Sequence, residues 1–323
     1  TPIFKVPDMD LAVLLLIFNR PVLTAEVIKR LAEIRPTRLY LAGDGPRKGR
    51  ENERELCEEA RRIASEVTWP CEIRTLWRDS NLGCKRAVSG AISWFFLHEE
   101  EGIILEDDCL PNFDFFRFCS HGLNRFRNDD RIYVITGDNF QNGVSRTERK
   151  ASYYFSKYPH CWGWATWRRA WRAYDGDLAC WDSLVQNPSW KELHNDPIER
   201  SHWERLGTQV RKGSLDSWAT PWMFSVWYNQ GLTMTPDVNL VTNIGFGPDA
   251  THTVSWDEGA AQLPACAIGK ILDTTEVRWN LAADHYVFQN HFGGRNLRFP
   301  RSILTSAKRI VSSFFKKTFG NGG

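Results

Sequence analysis

Gly102-Ile103-Ile104-Leu105-Glu106-Asp107-Asp108-Cys109-Leu110-Pro111 passes from a short apolar run straight into three consecutive carboxylates. The run Ile103 to Leu105, with a glycine before it and a proline after the acids, has the pattern of a fully buried parallel strand. Adjacent acids repel one another and lose hydration when buried. A fold keeps them together only where a cation or a solvated cleft relieves the repulsion. In open α/β sheets the ligand crevice lies just beyond the carboxyl ends of the strands. A hard cation shared between one or two carboxylates and substrate phosphates suits such a place. The plainer alternative is a solvated acid cluster at a strand-to-loop junction.

Upstream, Leu11 to Phe18 is expected to be a buried first strand closed by Asn19-Arg20-Pro21. It is too short to cross a bilayer and lacks the basic flank and cleavage site of a signal peptide. Thr24 is the expected cap of a helix over Ala25 to Ile34. Arg38 to Ala42 forms a second strand, ended by Gly43-Asp44-Gly45-Pro46, and Glu51 to Val67 a charged amphipathic helix. Cys71 to Leu76 forms a third strand, and Asn81-Leu82-Gly83 leads into a helix from Lys85 to His98. The Ile103 run is then the fourth strand. This rhythm predicts right-handed crossovers and a parallel sheet with all strand C-termini on one edge. Phe18, Asn19, Arg20, Asp44, Lys85, Arg86 and Asp108 would gather there as the candidate nucleotide site. Neither a Gly-x-Gly-x-x-Gly after the first strand nor a Walker-type loop is present, so phosphate has to be held by metal and cationic side chains.

The chain has 323 residues, enough for one large α/β domain or two closely packed halves. Its formal net charge is +2, and no dense basic stripe marks the first 290 residues, which argues against nucleic acid as a partner. Eight cysteines without a C-x-x-C pair read as reduced thiols of a cytosolic protein. Fifteen tryptophans are present, ten of them between Trp162 and Trp227. The expected division is a donor-binding half over residues 1–140, an acceptor-binding half over 141–297 in the same compact domain, and a tail over 298–323. No transmembrane anchor is visible, so any membrane contact should be peripheral.

Glu106-Asp107-Asp108 with Cys-Leu-Pro-Asn-Phe-Asp114-Phe115-Phe116 resembles the acid motif and following helix of GT-A nucleotide-sugar glycosyltransferases, most closely the N-acetylglucosaminyltransferase I type. Ile132 to Asn139, Cys161-Trp162-Gly163-Trp164-Ala165, Asp216-Ser217-Trp218 and Val238 to Phe246 resemble later parts of that family, so the likeness runs over residues 11–255. It implies a GT-A-like, Rossmann-like sheet, mixed and mostly parallel, flanked by helices, with a Trp-rich acceptor half. It implies Asp108 as metal ligand, Asp107 at the ribose, Glu106 at sugar hydroxyls, and Mn2+ or Mg2+ as the ion. The second half is richer in tryptophan than the family.

Transfer from a nucleoside diphosphate sugar needs a neutralised diphosphate, a held sugar and a base for the acceptor hydroxyl. Arg20 is placed for diphosphate or uracil, and Asp44 for a base N–H. Lys85 and Arg86 open a helix, where cations oppose the dipole, which points to an anionic ligand or to a solvated surface pair. Asp216 is the candidate base, since a carboxylate against indole is pushed towards neutrality. Its structural alternative is the N-cap of a helix over Ser217–Tyr228. Trp162 and Trp164 are candidates for stacking on the donor sugar, most other tryptophans for core. His252, in a Gly-rich loop, is a candidate for diphosphate or metal. Between Phe299 and Phe319 a basic amphipathic helix would suit an anionic membrane surface or the protein's own body. The expectation is thus a cytoplasmic, metal-dependent, inverting glycosyltransferase, with UDP-sugars favoured and a glycan or lipid-linked acceptor, working free or at the inner face of the membrane. A nucleotidyltransferase and a non-catalytic carbohydrate-binding or membrane-active protein are the alternatives.

Overall fold

The computed structural model describes residues 10–147, 151–245 and 263–300. His252 and nearly all of the amphipathic C-terminal segment lie outside the described residues. The first half alternates as expected: β1 (Ala12–Ile17), α1 (Pro21–Ile34), β2 (Arg38–Gly43), α2 (Glu53–Ser65), β3 (Glu72–Trp77), α3 (Cys84–His98) and β4 (Glu101–Glu106). Then follow β5 (Cys109–Pro111), α4 (Phe113–Arg125), β6 (Ile132–Thr136), β7 (Tyr153–Ser156) and β8 (Trp164–Trp167). The rest comprises α5 (Arg168–Trp171), α6 (Trp181–Gln186), α7 (Pro188–Leu193), α8 (Pro197–Arg211), α9 (Ala219–Tyr228), β9 (Leu232–Pro236), β10 (Val241–Asn243) and α10 (Leu281–Asn290).

One eight-stranded sheet carries the fold, in the order β3-β2-β1-β4-β8-β6-β9-β7, and β5 pairs with β10 in a separate ribbon. β1 to β4, β6 and β9 run one way, while β8 and β7 run against their neighbours. The sheet is therefore mixed and mostly parallel, the GT-A-like arrangement expected. All six side chains of β1 are buried, as its unbroken Ala-Val-Leu-Leu-Leu-Ile predicts for a strand covered on both faces. Val13, Leu15 and Ile17 pack with α1, α2 and α4, and Ala12, Leu14 and Leu16 with α3, α5 and α9. A third apolar cluster fills the space among α6 to α10. Nine of the ten tryptophans from Trp162 to Trp227 are buried in these layers, and only Trp162 is half-buried. Indole rings here are mainly core, each hiding a large apolar area.

Thr24 does not cap the first helix. α1 begins at Pro21, whose fixed φ and missing N–H suit a first helical position, and Thr24 lies one turn inside with its hydroxyl donating to Arg20 O at 2.9 Å. α2 is shorter than expected at both ends, and α3 starts at Cys84. Glu106 belongs to β4, so the turn of the acid motif holds Asp107 and Asp108. No helix among the described residues is long and apolar enough to cross a membrane.

Candidate active site

Because β1 lies between β2 and β4, the chain leaves it to one side after α1 and returns on the other after α3. That reversal makes the carboxyl ends of β1 and β4 a topological switch point, where crevices form in open α/β sheets. A cleft of about 390 Å³ opens there, between those ends, the ends of β2 and β3, and the start of α3. Six expected residues line it: Phe18, Arg20, Asp44, Glu106, Asp107 and Asp216.

The cation that relieves the acid triplet in this structure is Arg20. Its guanidinium donates to Asp107 Oδ1 and, at 2.9 Å, to Asp108 Oδ2, while the Phe18 N–H donates to Asp107 Oδ2 at 3.2 Å. Burial, and then the neighbouring acids, push Glu106 well above the usual carboxylate range. Burial raises Asp107 as well, partly offset by the Arg20 charge. Arg20 is held more firmly charged: burial works against it, but the two aspartates more than make up the difference. Removing this guanidinium would leave the buried Asp107 carboxylate unpaired beside the half-buried Asp108, a loss on the order of 3 kcal/mol.

Asp44 and Asp216 grip the turn that starts α3. Asp44 accepts from the N–H groups of Gly45 at 2.9 Å, Leu82 at 3.0 Å and Gly83 at 3.2 Å, and from Asn81 Nδ2 at 2.9 Å. Burial raises its pKa, and these amides pull it back. Asp216 accepts from Cys84 N at 3.0 Å and Lys85 N at 2.9 Å, so it caps α3 from 131 residues away. The cap expected within its own helix is absent: α9 begins at Ala219, and Ser217 Oγ serves its first turn by accepting from Thr220 N at 3.2 Å. Gly83, at φ +81°, makes the α3 arrangement possible, because a Cβ there would sit 2.9 Å from Asp216 Oδ2.

The remaining expected residues stand elsewhere. Asn19 donates to Glu53 at 3.1 Å, Lys85 pairs with Asp177 at 2.8 Å, and Arg86 is exposed. Trp164 is fully buried in β8 against Trp171, Trp218 and Trp222. The Trp162 N–H donates to Asp138 Oδ2 at 2.9 Å. Gly163, at φ +80°, turns the chain tightly against Val241 and Leu105. Asp138 is buried and pushed well above the usual carboxylate range by desolvation.

Two cations in the cleft escaped the sequence reading. Arg47 follows the turn after β2, pairs with Glu53 and lies 5.5 Å from the Phe18 ring centroid; Arg78 directly follows β3. The strand-end logic that singled out Arg20 applies equally to both. Among the described residues no three His, Cys, Asp or Glu side chains are arranged to hold a metal ion. Asp107 and Asp108 nevertheless offer hard oxygen donors, which fits an ion completed by a ligand's own phosphates rather than an all-protein cage.

No protein-family model matches the chain, and no curated protein matches its sequence. Solved structures to which it is similar include a mannosyltransferase from Pyrobaculum calidifontis in complex with GDP-Man and Mn2+, at 13% identity over 52% of this chain and 48% of that one, TM-score 0.33. UDP-glucose pyrophosphorylase complexed with UDP-glucose overlaps 73% of this chain and 94% of its own at 8% identity, TM-score 0.37. Mouse xyloside xylosyltransferase 1 overlaps 68% and 81% at 12% identity, TM-score 0.33. The chain spans about half the length of the mannosyltransferase. Overlaps this loose say nothing about activity, which the chemistry of the cleft has to decide.

Proposed function

We propose that the chain transfers a sugar from a nucleoside diphosphate sugar, with UDP-sugars favoured, to the hydroxyl of a glycan or lipid-linked acceptor, inverting the anomeric centre. The observation that carries this reading is the mixed charge of the cleft at the switch point. Arg20, Arg47 and Arg78 supply cations for a diphosphate, and Glu106 and Asp107 supply acceptors for hydroxyl groups. A sugar nucleotide is a ligand that needs both. The resemblance of Glu106-Asp107-Asp108 to the acid motif of the N-acetylglucosaminyltransferase I type supports the same assignment.

In this reading Asp107 meets the ribose, Glu106 the sugar, and Asp108 with the diphosphate holds a divalent ion, Mn2+ or Mg2+. When bound, that ion neutralises the charge of the departing diphosphate. Arg20 pairs with Asp108 at 2.9 Å, and its guanidinium would be free to turn to the diphosphate if Asp108 held an ion. Asp216 takes the proton of the acceptor hydroxyl as that oxygen bonds to the anomeric carbon and the diphosphate leaves. Two amides occupy one lone pair on each of its oxygens, leaving acceptor capacity for the proton.

Thermal unfolding in the presence of UDP, GDP and the matching triphosphates, with and without Mn2+, tests this proposal. A diphosphate at a hundred times its Kd should add about 2.7 kcal/mol of stability. That gain should require Mn2+ and vanish in Asp108→Ala with the fold intact by circular dichroism. Stabilisation by triphosphates alone would favour nucleotidyl transfer, and none by any nucleotide would overturn the proposal.

A further inference from the structure

The two ends of the sheet are finished differently. At one end β7 is sealed on its outer side by the chain around residues 270–280. Ser152 N donates to Leu272 O at 2.8 Å, Asn280 N donates to Phe155 O at 2.8 Å, and Phe155 bridges Trp279. At the other end β3 pairs with β2 alone among the described strands. Glu72 N donates to Thr37 O at 2.9 Å and Arg78 N to Gly43 O at 3.0 Å, so the even-numbered residues of β3 turn their amides towards β2. Cys71, Ile73 and Thr75 therefore turn theirs outward. Glu72, Ile73, Arg74 and Thr75 are exposed, with Ile73 at 40% of its surface.

We propose that two copies of this chain join edge to edge through β3, antiparallel, about a two-fold axis at Ile73. Charge and register single out this occupant. Pairing Ile73 with Ile73 of the second copy places the outward amides of residues 71, 73 and 75 opposite one another, as an antiparallel ladder requires. The same register sets Glu72 opposite Arg74 of the second copy and Arg74 opposite its Glu72, both pairs on one face. Centring on Thr75 instead would put Arg74 against Leu76 and set Glu72 opposite Arg78, which lies beyond the end of the strand and lines the cleft. Proteins that guard an open edge commonly line it with charges of one sign, which repel a second copy. Here the signs alternate at i and i+2, so the edge is complementary to itself. Within one chain Arg74 already reaches Glu72 at 2.8 Å and lies over the Tyr40 ring, which preorders both side chains on that face.

Sedimentation velocity of the full chain across a concentration series, at low and at high salt, reads the association. Wild type should form a dimer that weakens with salt. Ile73→Pro removes an outward N–H without touching the ladder to β2, and should leave the chain monomeric. Arg74→Glu turns two attractive cross-strand pairs into repulsive ones and should weaken the dimer about tenfold or more. The swap Glu72→Arg with Arg74→Glu should restore it. If Ile73→Pro does not fold, the charge variants alone decide. A wild type that stays monomeric at every concentration, a dimer that survives Arg74→Glu, or a swap that does not restore association would each overturn the proposal.

Discussion

Asp216 holds two amides and faces a cleft, and the two tasks can be separated by one substitution. Asp216→Asn keeps a carbonyl oxygen for one of the two N–H groups and sets an NH2 against the other. Loss of about 1 kcal/mol of stability is expected from the weakened cap on α3. A base removed from the reaction lowers turnover by about 10²–10⁴-fold, far more than a loosened helix end explains. Steady-state kinetics of sugar transfer beside a urea titration reads both; near wild-type turnover with the stability loss present would leave Asp216 as a cap only. The acid triplet and Arg20 could be read from the chain because each lies directly beyond an apolar strand run. The grip of Asp216 on α3 could not, since a bond across 131 residues leaves no local spacing to detect. Lys85 and Arg86 show the opposite failure: their place at a helix start is visible in sequence, but which way each side chain points is not.

Elements were legible in proportion to how completely they are buried as continuous runs. β1 and β4 announce themselves, and the helices between the early strands follow from their rhythm. The short strands β5 and β10 carry three residues each, too few for any periodicity, and the tryptophans of the second half obscure which helix face is covered. α8 shows what those tryptophans do. It carries Gly207 in its interior, at a cost of about 1 kcal/mol relative to alanine. Packing gives the reason: a Cβ at this position would lie 2.0 Å from the buried Trp181 ring of α6. Gly207→Ala therefore gains helix propensity and loses more, about 1–3 kcal/mol, by forcing the indole aside. A lower urea midpoint is the expected outcome, and a higher one would mean that α6 and α8 are not in tight contact.

The whole molecule rests partly on histidines buried without charge. His194 lies fully buried beside Lys157 and Glu199, its Nδ1 at 3.3 and 3.2 Å from them. Burial, with the Lys157 charge, pulls it down to about 4 against the partial support of Glu199. His160 is lowered well below its ordinary value by burial and then by His291. Between pH 6.5 and 4 the unfolded chain binds protons at these imidazoles and the folded chain does not, so their contribution to stability rises with pH in that window and is lost as pH is lowered. At pH 5 the His194 imidazole takes away about 2 kcal/mol relative to pH 8, and His160 acts in the same direction. Glu199 adds a later loss: burial raises it, but the His194 hydrogen bond and Lys157 bring it down to about 2, and its contribution fades only below pH 4.5. With a net charge of +2 at neutrality, bulk repulsion adds little over the first part of this descent. The raised carboxyls Glu106, Asp107, Asp138 and Asp284 gain stability over the same descent, so the imidazole contribution is read by difference: between pH 8 and pH 5, His194→Asn should lose about 2 kcal/mol less stability than wild type in parallel urea titrations. Identical pH dependence in wild type and His194→Asn would mean that this imidazole reaches water and is not sealed beneath the tryptophan layer.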